Sequence, residues 1–348
     1  MTNFTTWGKG KVLLKNCVVI TDSDVIFYYT SARFEDGYLV IIDNQKFIFA
    51  DKRYFDAIPL SNNYTKILLE NDSQVIDFLK GNGVKSVGLL YQYSLVFLSD
   101  MLLSNGFTVY NFDNEYFSLS QIKTQKEIEL IKRSCQVCQK SFYQAIKHIK
   151  EGITEFELSA ILEYYFKKNG ASNTSFDTIV AFGEGGAIPH YKTSTVALKP
   201  NTPILMDFGC VVDGYASDMT RSFYFGNPPN EYIKVYDIVL KAHENAVKNI
   251  TSGTTCKDAD AFARDIINKS GYGEYFIHGL GHGVGVKVHE EPRLSYKSQG
   301  VLKNGNAFTI EPGVYIQGAF GIRIEDTYCL SDGKCTSFMT DDKKLTTL

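Results

Sequence analysis

The chain has 348 residues, of which 44% are hydrophobic and 22% are charged. This composition is ordinary for a soluble globular protein, and the length exceeds that of a usual single core, so we expect two domains. The net charge of −3 gives no strongly basic surface, which disfavours nucleic acid and anionic membranes as partners. Neither a signal peptide nor a membrane span is predicted, because no basic segment precedes an apolar core at the N-terminus and no apolar run has spanning length.

The cysteines are scattered along the chain, at positions 17, 135, 138, 210, 256, 329 and 335. Their odd number and the lack of a secretory signal favour reduced thiols and a cytoplasmic location. Cys135 and Cys138 form a C-x-x-C pair. We interpret this pair as two small apolar residues on a helix face rather than a redox or zinc site, because no second pair has ligand spacing.

Residues 1–118 are expected to form an α/β domain with a partly parallel sheet. Strands are predicted for KVLLKNCVVI, DVIFYYTS, YLVIID, KFIFAD, TKILLE, KSVGLLY and FTVYNF, because these runs are apolar, β-branched or aromatic. Helices are predicted near residues 74–79 and 94–103. The segment contains no glycine-rich phosphate loop, and nothing in it indicates chemistry.

Residues 119–348 are expected to form a second, α+β domain. Thr124 and Glu127 match a capping box at the start of a long amphipathic helix, and Thr154 and Glu157 match another. Further helices are predicted over residues 230–249 and 258–269, with strands between and after them. We find no internal repeat and no low-complexity segment.

The stretch TPILMDFGCVVDGYASDMTRSFYF, residues 202–225, predicts a β-hairpin. Asp213-Gly214 is a strong two-residue turn signal. That turn pairs Val212 with Tyr215 and places Asp207 and Asp218 on one face of the ribbon. Two carboxylates on one face indicate either a divalent metal site or a pair of solvated aspartates at a strand edge.

Further candidate ligands follow downstream. HGLGHGVGVKVHEEP contains His278, His282 and His289 in a glycine-rich stretch, Glu311 ends the strand-like run NAFTIE, and Arg323 and Glu325 share one face of GIRIEDTY. Two Asp, two Glu and one His suit a pair of hard or borderline divalent ions, such as Mn²⁺, Co²⁺, Fe²⁺ or Zn²⁺, better than a structural zinc.

The motifs DFG…SDMTRSF, HGLGHGVG…HE, TIEPGVY and RIEDT resemble those of the pita-bread metallopeptidases. This family includes Xaa-Pro aminopeptidase (aminopeptidase P), prolidase (Xaa-Pro dipeptidase), methionine aminopeptidase and creatinase. The resemblance covers residues 120–345 and implies a C-terminal pita-bread domain preceded by a creatinase-type N-terminal domain. It also implies two divalent ions, Mn²⁺ first, held by Asp207, Asp218, His282, Glu311 and Glu325, with Glu325 bridging.

The resemblance also implies roles for other residues. Glu311 would be the general base, His190 would bind substrate or shuttle a proton, His289 would contact the scissile carbonyl, and His278 would line the proline pocket. Arg323 would hold a carboxylate, either one of the site or the C-terminus of a dipeptide. Glu184-Gly-Gly departs from the usual family pattern and could alter the shape of the entrance.

The expected activity is hydrolysis of the bond between an N-terminal residue and proline, in peptides with proline in second position. Xaa-Pro aminopeptidase is the first hypothesis, and prolidase restricted to Xaa-Pro dipeptides is the alternative. A non-catalytic pita-bread binding module is disfavoured, because all five ligand positions are filled and no acidic tail is present. Assembly as a homodimer is an expectation from the relatives.

Overall fold

The computed structural model describes residues 17–348, and the chain divides into two compact units between Leu119 and Ser120. The strands before this division are β1 (Cys17–Ile20), β2 (Gly37–Ile42), β3 (Gln45–Ala50), β4 (Thr65–Leu68), β5 (Ser86–Leu89) and β6 (Thr108–Asn111). The helices that begin before it are α1 (Ser23–Thr30), α2 (Lys52–Phe55), α3 (Ser73–Gly81), α4 (Val96–Ser104) and α5 (Asp113–Ser120).

The first unit is built on one mixed sheet with the order β4-β3-β2-β1-β5-β6. β1, β5 and β6 run parallel, as do β3 and β4, whereas β2 is antiparallel to both of its neighbours. The expectation of a partly parallel α/β sheet is therefore confirmed. The strand predicted from residue 11 is described from Cys17 onward, and residues 11–16 lie outside the described part.

The prediction of a strand over DVIFYYTS is wrong, because these residues form α1. The Asp22 carboxylate accepts hydrogen bonds from the backbone N–H groups of Asp24 and Val25, at 3.1 and 3.0 Å. An aspartate in this position satisfies N–H groups that the first helical turn leaves without partners. The cap therefore outweighs the strand preference of the aromatic and β-branched residues that follow.

The second unit combines four helices with short strands. The helices are α6 (Gln125–Ala145), α7 (Glu155–Lys168), α8 (Asn230–Asn249) and α9 (Cys256–Lys269). The strands are β7 (Asn173–Thr174), β8 (Ile179–Phe182), β9 (Thr202–Phe208), β10 (Cys210–Val212), β11 (Tyr215–Ala216), β12 (Met219–Phe225), β13 (Gly281–Gly283), β14 (Glu290–Leu294), β15 (Ala307–Ile310), β16 (Gly313–Ile316), β17 (Phe320–Arg323), β18 (Asp326–Ser331) and β19 (Lys334–Ser337).

These strands form four sheets, with the orders β11-β10-β7, β12-β9-β8, β14-β13-β15-β18-β19 and β16-β17. Helix α6 packs against α7, and α8 packs against α9. α6 also contacts β10 and β12, and α8 contacts β15, β16 and β17. This arrangement confirms the α+β class. Among residues 17–348, no helix has both the length and the apolar character needed to cross a bilayer.

Both predicted capping boxes are present. The Thr124 hydroxyl accepts from the backbone N–H of Glu127, whose carboxylate accepts from the backbone N–H of Thr124. Thr154 and Glu157 make the same reciprocal pair at the start of α7. Cys135 and Cys138 are buried on α6, as expected for apolar residues of a helix face.

The predicted hairpin is confirmed and keeps one register throughout. Val212 pairs with Tyr215 beside the turn, Thr220 pairs with Asp207 further along, and Phe225 pairs with Thr202 at the far end. The hairpin passes from one sheet to another at Gly209, where a Cβ atom would lie 2.0 Å from the backbone oxygen of Ser217. Only glycine allows so close an approach, and it brings together the two strands that carry Asp207 and Asp218.

We predict that Gly209→Ala lowers the free energy of unfolding by about 1–3 kcal/mol, because the backbone at Ser217 has to move to admit a methyl group. Urea or thermal unfolding measures this loss. Gly81→Ala is the matched control, since a Cβ there meets no atom within 4 Å, and it should retain the original stability. Equal stability of the two variants would contradict the predicted clash.

Candidate metal centre and active-site cavity

The five predicted metal ligands lie in or next to different strands and come together in the fold. Asp207 is in β9, Asp218 precedes β12, His282 is in β13, Glu311 follows β15 and Glu325 lies between β17 and β18. His282 Nε2 is 3.5 Å from Asp218 Oδ2 and 3.3 Å from Glu311 Oε1. Ligand atoms of Asp218, His282 and Glu325 all lie within 4.8 Å of one another.

Burial makes the ionised form of these carboxylates costly. It raises the pKa of Asp218 and of Glu325 well above the ordinary value, and neighbouring carboxylates raise both further. Burial also raises the pKa of Asp207, although the charge of Arg323 opposes the rise. Burial acts in the same direction on Glu311, but the hydrogen bond and charge of His282 outweigh it and lower the pKa of Glu311 to about 2.

The donor set fits divalent metal ions. Among the described residues, Asp207 Oδ1 and Asp218 Oδ1 are buried without a hydrogen-bond partner. A buried carboxylate oxygen that lacks a donor is unfavourable unless a cation compensates it. Several carboxylates with one imidazole are ligands that hard and borderline divalent ions accept. The buried oxygens without partners and the types of ligand therefore both indicate a divalent metal site.

Arg323 connects the ligands on one side of the cluster. Its guanidinium donates to Asp207 Oδ2, to the Thr220 hydroxyl at 2.9 Å and to the Tyr315 hydroxyl at 2.8 Å. The Thr220 hydroxyl in turn donates to Glu325 Oε2. Of the two roles considered for Arg323, holding a carboxylate of the site is the one that its contacts here match.

The ligands on the other side are joined through Thr309 of β15. Its hydroxyl donates to Glu311 Oε1 at 3.0 Å and accepts from the backbone N–H of His282 at 3.1 Å. A Cβ on Gly281 would lie 2.1 Å from the Thr309 backbone oxygen. The glycine before His282 thus allows β13 to approach β15 closely.

A cavity of about 1220 Å³ contains this cluster. All the residues singled out from the sequence as ligands or substrate contacts line it: Asp207, Asp218, His282, Glu311, Glu325, His190, His278, His289 and Arg323. The rings of His282 and His289 have centroids 4.3 Å apart. Desolvation and the neighbouring His282 lower the pKa of His289 to about 4.

The hydrogen bonds of His278 define its tautomer. Nδ1 lies 2.7 Å from the Gly279 backbone oxygen, which can only accept, so Nδ1 carries the proton. Nε2 lies 2.8 Å from the Tyr315 hydroxyl and therefore accepts a hydrogen bond from it, while the hydroxyl oxygen accepts one from Arg323. Both ring nitrogens are hydrogen-bonded, so the ring carbons of His278 are the atoms available to contact a ligand in the cavity.

Sequence reasoning missed Thr220, Thr309 and Tyr315 as parts of the site. Each stands in a motif next to a predicted ligand, but their partners come from other strands, so only the fold reveals the contacts. Glu184, the departure noted in the sequence, is exposed and is not among the residues that line the cavity.

Comparison with known proteins identifies the family. The Xaa-Pro dipeptidase of Pyrococcus furiosus is 33% identical over 322 residues, covering 92% of each sequence. The solved Xaa-Pro dipeptidase from Bacillus anthracis matches with a TM-score of 0.91 at 31% identity, covering 96% of this chain and 95% of the other. For the X-Pro aminopeptidase from Thermotoga maritima the TM-score is 0.89 at 30% identity, with coverage of 96% and 97%. The sequence profile of metallopeptidase family M24 matches residues 129–332. The chain therefore belongs to metallopeptidase family M24 and has the pita-bread fold that its motifs predicted.

Proposed function

We propose that the protein is a dinuclear metallopeptidase that cleaves the bond between an N-terminal residue and proline, with Xaa-Pro dipeptides as preferred substrates. The observation that carries the proposal is the convergence of the five candidate ligands with three further histidines in one cavity. The sequence hypothesis put Xaa-Pro aminopeptidase first. The relatives named Xaa-Pro dipeptidase, at 33% and 34% identity over nine-tenths of the chain, favour the dipeptidase instead.

Membership of family M24 implies divalent metal ions. In our proposal Asp207, Asp218, His282, Glu311 and Glu325 would together hold two such ions. Mn²⁺ is the first choice, with Co²⁺, Zn²⁺ and Fe²⁺ as alternatives. When bound, such ions lower the pKa of a coordinated water far enough to supply a nucleophile near neutral pH.

Residues that line the cavity would carry out proton transfer and stabilise the developing charge. We assign to Glu311 the role of general base, whose carboxylate would accept the proton of the attacking water. His289 stays neutral at pH 7, because its pKa is lowered to about 4. A neutral imidazole has one N–H, which can donate to the oxygen of the scissile carbonyl as negative charge develops there.

Recognition of proline has to use shape, because the proline nitrogen of the scissile bond carries no hydrogen. His278 suits this role, since its nitrogens are engaged by Gly279 and Tyr315 and its carbon edge is left for the proline ring. Exposed His190 lies on the cavity lining and is proposed to contact the substrate backbone.

The substrate class is tested with a peptide panel in the presence of Mn²⁺. We expect kcat/KM for Ala-Pro to exceed that for Ala-Pro-Ala by at least about tenfold, a difference of about 1.4 kcal/mol in transition-state binding. The reverse order would support the aminopeptidase alternative, which the similarity to the Thermotoga maritima enzyme favours. Hydrolysis of neither peptide would refute the proposed function.

Asp218→Asn separates the metal role from a structural one. Loss of a ligand charge should lower kcat/KM by at least about a hundredfold, because metal ions contribute several kcal/mol to such reactions. The metal-free variant should melt no lower than the metal-free parent, since the substitution removes a buried carboxylate with an oxygen that lacks a partner. Retention of Mn²⁺ affinity and activity would contradict the ligand assignment.

The stabilising effect of Mn²⁺ should grow as the pH rises from 5 to 8. Burial raises the pKa of Asp218 and Glu325 in the folded metal-free protein, so these groups retain protons above the pH at which they ionise in the unfolded chain. The metal-free fold therefore loses stability as the pH rises, whereas proton competition with the metal declines. Melting temperatures with and without Mn²⁺ measure the effect, and a difference that shrinks with rising pH would contradict it.

A further inference from the structure

Residues 276–280, which include His278, are held by side chains of helix α9. This segment lies between a short 3-10 helix that ends at Tyr275 and strand β13. The backbone oxygens of Phe276 and His278 accept from the Arg264 guanidinium at 2.8 and 2.6 Å. The backbone N–H of Leu280 donates to Asp260 Oδ1 at 3.0 Å. Two α9 side chains thus satisfy backbone groups that have no strand partner.

Arg264 is itself fixed by Asp260, one helical turn earlier. Nε and Nη2 of Arg264 lie 2.6 and 2.9 Å from the two oxygens of Asp260. Asp260 is 1% exposed. A bidentate pair of this kind fixes both distance and orientation, because guanidinium and carboxylate are planar forks. Asp260 therefore fixes the position of the Arg264 guanidinium, and with it the hydrogen bonds to the backbone oxygens of Phe276 and His278.

Arg264 also contacts a second segment that lines the cavity. Its guanidinium carbon lies 4.1 Å from the ring centroid of Phe276 and 5.2 Å from that of Tyr296. The neighbours of Tyr296, namely Ser295, Lys297 and Ser298, line the cavity. The two segments touch at Gly279, where a Cβ would lie 2.8 Å from the Leu294 backbone oxygen. One cationic side chain therefore spans two cavity-lining segments.

We propose that Arg264 is a positioning residue that sets where His278 lies against the substrate, and so determines how strictly the cavity selects the five-membered proline ring. Arg264 is not among the residues that line the cavity, so it acts through the backbone of His278. The ring of His278 is bonded to Tyr315 and packs edge-on against Phe276, with centroids 5.1 Å apart. A shift of its backbone changes the surface offered to proline. This inference rests on the proposed Xaa-Pro peptidase function.

The test is Arg264→Lys, which keeps the charge beside Asp260 but lacks the fork that reaches both backbone oxygens. We expect KM for Ala-Pro to rise about tenfold with kcat changed less than about twofold, because substrate positioning is lost and the chemistry is retained. The preference for Ala-Pro over Ala-pipecolic acid, its six-membered-ring analogue, should fall about fivefold. Mn²⁺ affinity of the metal-free protein, measured by calorimetry, should be unchanged.

Arg133→Lys is the matched control, since it makes the same chemical change in the exposed ion pair with Asp213. If Arg264→Lys does not fold, Asp260→Asn takes its place, because it keeps an acceptor for Leu280 and weakens only the hold on Arg264. Unchanged KM and ring selectivity would overturn the inference. So would an equal loss of kcat on both substrates with weaker Mn²⁺ binding, which would indicate a general structural role. No Xaa-Pro hydrolysis by the unmodified protein would overturn the proposed function, and this inference with it.

Discussion

The repulsion among buried carboxylates is the constraint on which the second unit depends. Asp207, Asp218, Glu311 and Glu325 line one cavity, in which the guanidinium of Arg323 contacts Asp207. Two like charges 4 Å apart repel by about 4 kcal/mol at an effective dielectric constant of 20. Burial and like charge raise the pKa of Asp218 and Glu325. When no metal is bound, these groups therefore keep protons, which relieve the repulsion. Divalent cations relieve the repulsion while the carboxylates stay ionised. The electrostatics of the cluster and membership of family M24 therefore both indicate divalent cations.

Backbone hydrogen bonds, in addition to the side-chain contacts of Arg323, Thr220 and Thr309, hold these charges together. Glu325 donates its backbone N–H to Thr220 at 3.2 Å, and Glu311 donates to Leu280 at 2.8 Å. Thr220 is paired with Asp207 across the hairpin. These bonds link strand ends from distant parts of the sequence, and the folded chain supplies them before any cation is present. Folding alone therefore brings the candidate ligands together.

Whether a feature could be predicted from the sequence depends on how far apart its interacting residues lie along the chain. The hairpin register, the capping boxes and the long helices depend on neighbours within a few residues, and these predictions are confirmed. The strand predicted over DVIFYYTS is wrong, because one cap at Asp22 outweighs the propensities of the residues after it. Tyr315 and Thr220 escaped prediction, since their roles exist only where β16, β12 and β17 meet.

The segments that carry the three candidate substrate-binding histidines lie outside the strand pairs that carry Asp207 and His282. Each of these segments contacts a buried charged side chain. Glu155 accepts from the backbone N–H groups of Phe182 and Ser194, at either end of the segment with His190. The Lys123–Glu290 ion pair adjoins His289, and the Asp260–Arg264 pair holds His278. A substitution at one of these charged side chains can move the segment that it supports without disturbing a ladder of strands. Substrate selection can therefore vary while the candidate metal ligands, which lie in or next to paired strands, keep their positions.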